Sequence, residues 1–342
     1  MSGDLAKERL AMRRPGWKRT KALLALVVVA AGLALTASAA SAAPVAINLC
    51  ALPGTAILTG TVTVPIWGFG VPSTPGDCST ATAGLPGPVL TVDQGDSVTV
   101  SVTNALPAGH TIRFEAPGIA FDPGATDAAV GATVTRTFTA SAPGTYLYQS
   151  AGDGGRQEAM GLYGALVVRS ATAGQAYGTA ATAYDVEARL LLSAVDPAFN
   201  GVGQPAGYDP NDFDLHGYRA TWWLINGKAY PDTAPITAAA GQRVLLRYLN
   251  GGFDHSTMQL LGMHQRVVAR DARLLPQAFD ANAETIPAGA TEDTIATVPS
   301  GAAPSANGFA LYNRQLHLTN GAQTGPTPTP TTGGGMLTFI HP

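Results

Sequence analysis

The 342 residues carry 20 Lys/Arg against 23 Asp/Glu, a formal net charge of −3, and only 13% of them are charged. That near balance, with no basic run in the body of the chain, excludes a nucleic-acid binder working through phosphate contacts. Forty glycines and 25 prolines interrupt the chain too often for a helical protein and suit an all-β chain of ordinary two-domain length.

Residues 1–42 read as an export signal. Lys7, Arg9, Arg13, Arg14, Lys18, Arg19 and Lys21 make a basic start, Ala22 to Leu35 an apolar run, and Ala40-Ser41-Ala42 a small-residue cleavage site. These are the three parts of a secretory leader. Arg13-Arg14 ahead of Trp17-Lys18 also admits twin-arginine export. The competing reading is an uncleaved anchor, for which the Ala-rich run is barely long enough. Removing the leader's net +5 from −3 leaves −8, a mildly acidic product expected in the periplasm, at the cell surface or secreted, with no membrane span.

Cys50 and Cys78 are the only cysteines. In an exported chain such a pair defaults to a disulfide, worth ~3–4 kcal/mol by loop closure. A metal thiolate is the alternative, but it needs nearby histidines, and no histidine lies within thirty residues of either cysteine.

From residue 90 onward the chain repeats itself. Leu90-Thr91, Gly95, Val98, Val100, Val102 and Asn104 match Ile236-Thr237, Gly241, Val244, Leu246, Tyr248 and Asn250 at an offset of 146. Gly131-Ala132-Thr133 matches Gly289-Ala290-Thr291 at 158, and Leu147-Tyr148 matches Leu311-Tyr312 at 164. The growing offset describes one plan with insertions. Within each copy, Ser97 to Val102 alternates as a half-buried strand must. Gly164 to Val168 and Trp222 to Ile225 are short apolar runs, with Pro-Gly at 86–87, 123–124 and 143–144 and Asn-Gly at 226–227 marking turns. This punctuation predicts a sandwich or barrel in each copy. The seam is expected near 170–183, dividing the chain into 43–175 and 176–342. Thr324 to Gly335, rich in Thr, Pro and Gly, is expected to be a surface loop before a last strand, Met336 to Ile340.

Gly87-Pro88-Val89-Leu90-Thr91-Val92, Gly95-Asp96, Val98, Asn104 and Leu106-Pro107 resemble the opening of the first cupredoxin domain of multicopper oxidases. Pro143 to Tyr148 and Gly161 to Leu166 resemble its closing strands, and Leu224 to Lys228 with Val267 to Asp271 resemble the family's last cupredoxin domain. These motifs scatter over most of residues 85–340. The resemblance implies an all-β protein of two cupredoxin-like Greek-key β-sandwich domains, similar to two-domain laccase-like proteins.

Family enzymes hold copper with about ten imidazoles and one cysteine thiolate, the ligands whose softness selects that metal. Carried over position by position, those ligands fall on Arg113, Glu115, Gln149, Ala151, Ser256, Gln259, Leu261, Asn313, Arg314, Gln315 and Thr319. None is a histidine or cysteine. The chain has six histidines in all, at 110, 216, 255, 264, 317 and 341. His255 is one place from the Ser256 position, a slip that would turn its side chain to the other face unless a bulge restored it; it is the one candidate metal ligand. His110, His216 and His317 read as turn or loop residues.

Arg113, Glu115, Gln149 and Arg314 should project where the copper cluster would lie between domains. Buried charges persist only when paired, so Glu115 is expected to pair with Arg113 or Arg314; the alternative is a wet cleft. Asp209 to Asp214 could bind calcium through oxygens, but a solvated acidic turn explains it as well, because the loop lacks the glycine and the closing glutamate of a calcium loop. Tyr148-Gln149-Ser150-Ala151-Gly152 misses the nucleophile elbow by its first glycine.

These readings imply a non-catalytic exported module with no cofactor, binding an unknown envelope or extracellular protein, with homo-oligomers possible. The alternative is a divergent copper oxidase or copper-binding protein with a reduced site around His255, His264 and His317, helped by Met258 and Met263.

Overall fold

The computed structural model describes residues 43–124, 126–321 and 333–342. The leader reading and most of the Thr/Pro/Gly loop therefore fall outside the described residues. Among the described residues, no helix is long and apolar enough to cross a membrane.

The first half of the chain supplies β1 (Pro44–Thr59), β2 (Val62–Gly70), β3 (Leu90–Asp93), β4 (Ser97–Asn104), β5 (Phe114–Glu115), β6 (Thr133–Thr139), β7 (Gly144–Ser150), a short helix α1 (Arg156–Met160) and β8 (Tyr163–Arg169). They form two four-stranded sheets, ordered β2-β1-β4-β6 and β3-β8-β7-β5. Alternation on β4 buries Val98, Val100 and Val102 between the sheets and turns Ser97, Thr99 and Ser101 away, because side chains on a strand alternate faces. Facing them are Val92, Leu166, Val168 and Tyr148.

The second half supplies β9 (Val186–Val195), β10 (Trp222–Ile225), β11 (Ile236–Thr237), β12 (Arg243–Asn250), β13 (Ser256–Leu260), β14 (Gln265–Arg270), β15 (Arg273–Ala281), β16 (Ala283–Ile286), β17 (Thr291–Thr297), β18 (Phe309–Asn313) and β19 (Leu337–His341). Its sheets run β10-β9-β12-β17-β14-β15 and β11-β19-β18-β13-β16. All-β architecture of the cupredoxin kind is thus present twice.

The repeat has a physical basis. Asn104 closes β4 by donating Nδ2 to the carbonyls of His110 and Ala128 while its Oδ1 accepts from Leu106 N. Asn250 closes β12 the same way, donating to Asp254 and Ile286 carbonyls and accepting from Gly252 N. An aliphatic residue would remove all three bonds in each copy. Gly95 and Gly241 sit at φ 101° and 84°, the left-handed region that glycine occupies without steric cost.

Among the contacts that join the halves, three involve the sheets themselves. Leu147, Tyr163 and Ala165 of the first pack on Leu191 and Leu249 of the second. The β1–β2 hairpin carries Leu52, Ala56, Leu58, Val64 and Ile66 onto Val195, Trp222, Leu224 and Ala229, and the expected Cys50–Cys78 disulfide lies at its base, with a sequence separation of 28. The third contact is polar. Asp293 accepts from Thr145 Oγ1 (2.7 Å), Tyr177 OH (2.6 Å) and Arg247 Nη1 (3.0 Å). Arg247 also bonds Thr145 Oγ1 at 2.9 Å and Glu187 Oε1 at 2.5 Å. Arg247 and Asp293 are each 1% exposed.

Removing one member of a buried ion pair leaves the other charge stranded. Asp293→Ala is therefore expected to cost about 3–5 kcal/mol in urea unfolding, whereas Thr145→Val, which keeps the pair, costs about 1–2 kcal/mol. Equal small losses would show that the pair is not holding the halves together. Reducing the disulfide is expected to cost ~3.5 kcal/mol by loop closure, read as a shift in the same midpoint.

Candidate functional site

The two-residue strand β5 places Phe114 opposite Ser150 and Glu115 opposite Gln149 on β7. Alternation sends Phe114 into the core and leaves Arg113 and Glu115 on the outer face. There Glu115 Oε1 accepts from Gln149 Nε2 at 2.9 Å. Arg113 does not pair with Glu115; its guanidinium grips Asp127 with two bonds, 2.7 and 3.0 Å. That fork raises the guanidinium's pKa and lowers the carboxyl's, chiefly through the hydrogen bond itself. Both side chains are about half exposed, so the pair adds little to stability. The expected pairing of Glu115 with an arginine is thus corrected: a neutral amide across the strand is closer than either guanidinium.

Arg314 lies exposed just beyond β18, with its backbone N–H donating to Thr257 O. Among the described residues it forms no ion pair. The structure brings Glu115 and Gln149 together, sets Arg113 beside them on another partner, and gives no contact linking Arg314 to that set. Around Arg314 the other expected positions bond to one another. Gln259 Oε1 accepts from Tyr312 OH (3.1 Å), and Gln315 Oε1 accepts from Thr257 N (3.0 Å). Ser256 Oγ and Asn313 Nδ2 both approach the buried Met336 sulfur, at 3.9 and 3.6 Å. Met336 opens the segment of the last strand, and nothing in the sequence beside it marks this contact.

The histidines are dispersed. Ser256, first residue of β13, faces the core, while His255 is exposed and its Nδ1 accepts from Ala288 N at 3.2 Å. His264 lies beyond the other end of β13, exposed beside buried Met263. His317 stacks on Trp223, centroids 4.4 Å apart, and burial lowers its pKa. Met258 is wholly buried in the second core. His216 is exposed on Asp214. Asp209 and Asp214 accept from Asn211 N and His216 N; these are local turn bonds that leave no shared oxygen cage. Among the described residues, no three His, Cys, Asp or Glu side chains converge on one metal position.

His110 lies in the loop after β4, as its reading expects, but it is buried there. It is 2% exposed and stacks against Trp67 with centroids 4.5 Å apart. Its Nδ1 lies 2.8 Å from Asp153 Oδ2, which also accepts from Gln157 Nε2 (2.7 Å), and Gln157 Oε1 accepts from Ser150 Oγ (2.6 Å). A chain of four polar side chains therefore crosses the end of the first sandwich. The repeat could have found it: the offset of 146 sets His110 opposite Ser256, a position already flagged as a family ligand site.

Two buried acids set a pH dependence. Burial pushes Glu158 on α1 up to about 7, with Glu115 and Asp153 adding to the shift. Burial likewise pushes Glu292 up to about 7, with Glu284 adding. Each binds its proton more tightly folded than unfolded, so the stability it contributes is full below pH about 4.5 and is lost as pH rises to about 7. A Glu158→Gln, Glu292→Gln double variant should reduce that decline by on the order of 1–3 kcal/mol per site in urea unfolding across this window. Identical pH profiles would refute the assignment.

Comparison with known proteins follows the same lines. The family model described as multicopper oxidase matches residues 73–173. Copper resistance protein A of Pseudomonas syringae pv. tomato is 25% identical over 287 residues, covering 70% of this chain and 45% of that protein. The Escherichia coli protein of the same name is 26% identical over 277 residues, covering 65% and 44%. The chain thus spans under half the length of these curated relatives. Among solved structures, the blue copper oxidase from Nitrosomonas europaea superposes with a TM-score of 0.70 at 20% identity, over 87% of this chain and 86% of that one. The copper nitrite reductase from the same organism gives 0.63 at 20% identity, over 80% and 89%. At such identity these likenesses establish the shared fold. The chain is thus similar to multicopper oxidases over residues 73–173 and shares the cupredoxin fold over most of its length.

Proposed function

We propose that this protein is an exported, copper-free member of the multicopper oxidase superfamily that works as a non-catalytic binding or scaffold module of the cell envelope. The observation that carries this reading is the chemistry at the positions where a relative would bind copper. Those positions hold amide, guanidinium, hydroxyl and carboxylate groups, and Glu115, Gln149, Arg113, Gln259, Asn313 and Gln315 are engaged with protein partners. Copper selects imidazole and thiolate. Both cysteines are joined to each other, His110 is held by Asp153, and the other histidines stand on separate elements. The donor set does not suit a multicopper centre. A module of this kind acts through its surface, on an envelope or extracellular protein or on further copies of itself.

A second reading has support from the relatives named for copper resistance and from the sulfur of Met336 beside Ser256: a copper-binding protein with a reduced site. Copper loading of the purified protein, followed by elemental analysis and a visible spectrum, separates the two. The scaffold reading expects copper far below one per chain and no intense blue band. Stoichiometric copper with such a band, and oxygen uptake with a phenolic donor, would replace it with the second reading.

A further inference from the structure

We propose that the cleft over His110 is a binding site for a small organic cation of the primary-ammonium class. The cleft, about 270 Å³, is lined by Trp67, His110, Met160, Asn200, Tyr208 and Asp209 among others. It forms where the long β9–β10 connection crosses onto the first sandwich. Its size is near the lower limit of ligand pockets, which restricts it to a compact ligand.

Its polar groups are chiefly acceptors. Asn200 is 3% exposed and donates Nδ2 to Pro65 O at 2.9 Å, while its Oδ1 is buried without a hydrogen-bond partner. A buried amide oxygen left unpaired is costly, and here it belongs to a residue that lines an open cleft. Asp209 adds a partly exposed carboxylate, its Oδ1 3.7 Å from His110 Nε2. Asp153 Oδ2 faces His110 Nδ1, while Nε2 faces Asp209 and Asn211. Asn211 Nδ2 is the amide donor beside the ring.

The local field has the same sign. Tyr208 ionises less readily because of burial and because Asp196, Asp209 and Asp212 surround it with negative charge. No Lys or Arg lines the cleft, and the guanidinium of α1, Arg156, donates instead to the Asp153 carbonyl. Trp67 and Tyr208 supply ring faces that attract a cation, and Met160 and Pro65 supply apolar wall for a short alkyl stem. An ammonium brings three donors and a positive charge, which meets the Asn200 oxygen, the Asp209 carboxylate and the aromatic faces together. An anion would face Asp209 and an unpaired carbonyl oxygen, and a neutral alkyl group would leave that oxygen dry.

Isothermal titration of the purified protein with n-butylammonium, n-butanol and butyrate tests the site. The amine should bind at millimolar concentration or below, at least about ten-fold more tightly than either isostere, the effect of one charge-assisted hydrogen bond. Asp209→Asn should weaken the amine by about ten-fold or more, while Asp214→Asn, in the same connection but outside the cleft, leaves it unchanged. No heat with the amine, equal binding of n-butanol, or an Asp209→Asn protein of native circular dichroism that binds undiminished would each overturn the proposal. The isostere series on the unmutated protein stands even if the variant fails to fold.

Discussion

The buried contact between Arg247 and Asp293 sets the relation of the two sandwiches, because both charges are removed from water and each depends on partners from more than one element. Thr145 reaches across from the first sandwich to touch both charges, and its carbonyl accepts from Thr291 Oγ1. Tyr177, from the seam, closes the remaining side of Asp293. Such a cluster is stable only when every member is satisfied, so its geometry fixes how the β7–β8 face docks on β12 and β17. Gly144 reinforces this: a Cβ there would come within 2.5 Å of the Ala272 Cβ, so the approach of the two halves requires its absence.

The polar chemistry expected between the halves is thus real but stands elsewhere. The contact is built by β12 and β17 against β7, while Arg113 and Glu115 lie on the outer edge of the first sandwich and Arg314 on the second. At those edges the side chains form short local bonds, Glu115 with Gln149 across β5–β7 and Arg113 with Asp127 along the chain. Neighbouring strands bring side chains at paired positions within reach, and that proximity overrides the longer-range preference of a carboxylate for a guanidinium.

The cupredoxin-like frame also carries an internal polar chain. Ser150, Gln157, Asp153 and His110 form it at one end of the first sandwich, and the long connection after β9 roofs it. A cleft with an unpaired buried oxygen results. The roof belongs to the second half of the chain and the floor to the first, so neither sandwich alone makes the cleft.

Amino-acid order alone determined the β-class, the duplication and the core. Val98, Val100 and Val102 alternate because one strand face is buried; Asn104 and Asn250 recur because each closes a loop with three bonds. Those are local or single-sandwich demands, and spacing along the chain encodes them. The cysteine pairing was equally readable, being a matter of composition. What the tertiary structure decided was partnership: Arg113 with Asp127, Glu115 with Gln149, Arg247 with Asp293, and the burial of His110 under a distant connection. Such choices depend on which side chains stand within hydrogen-bond reach once strands pair and sheets pack. Arg247 and Asp293, 46 apart, meet because β12 and β17 pair at that register, and no periodicity records it.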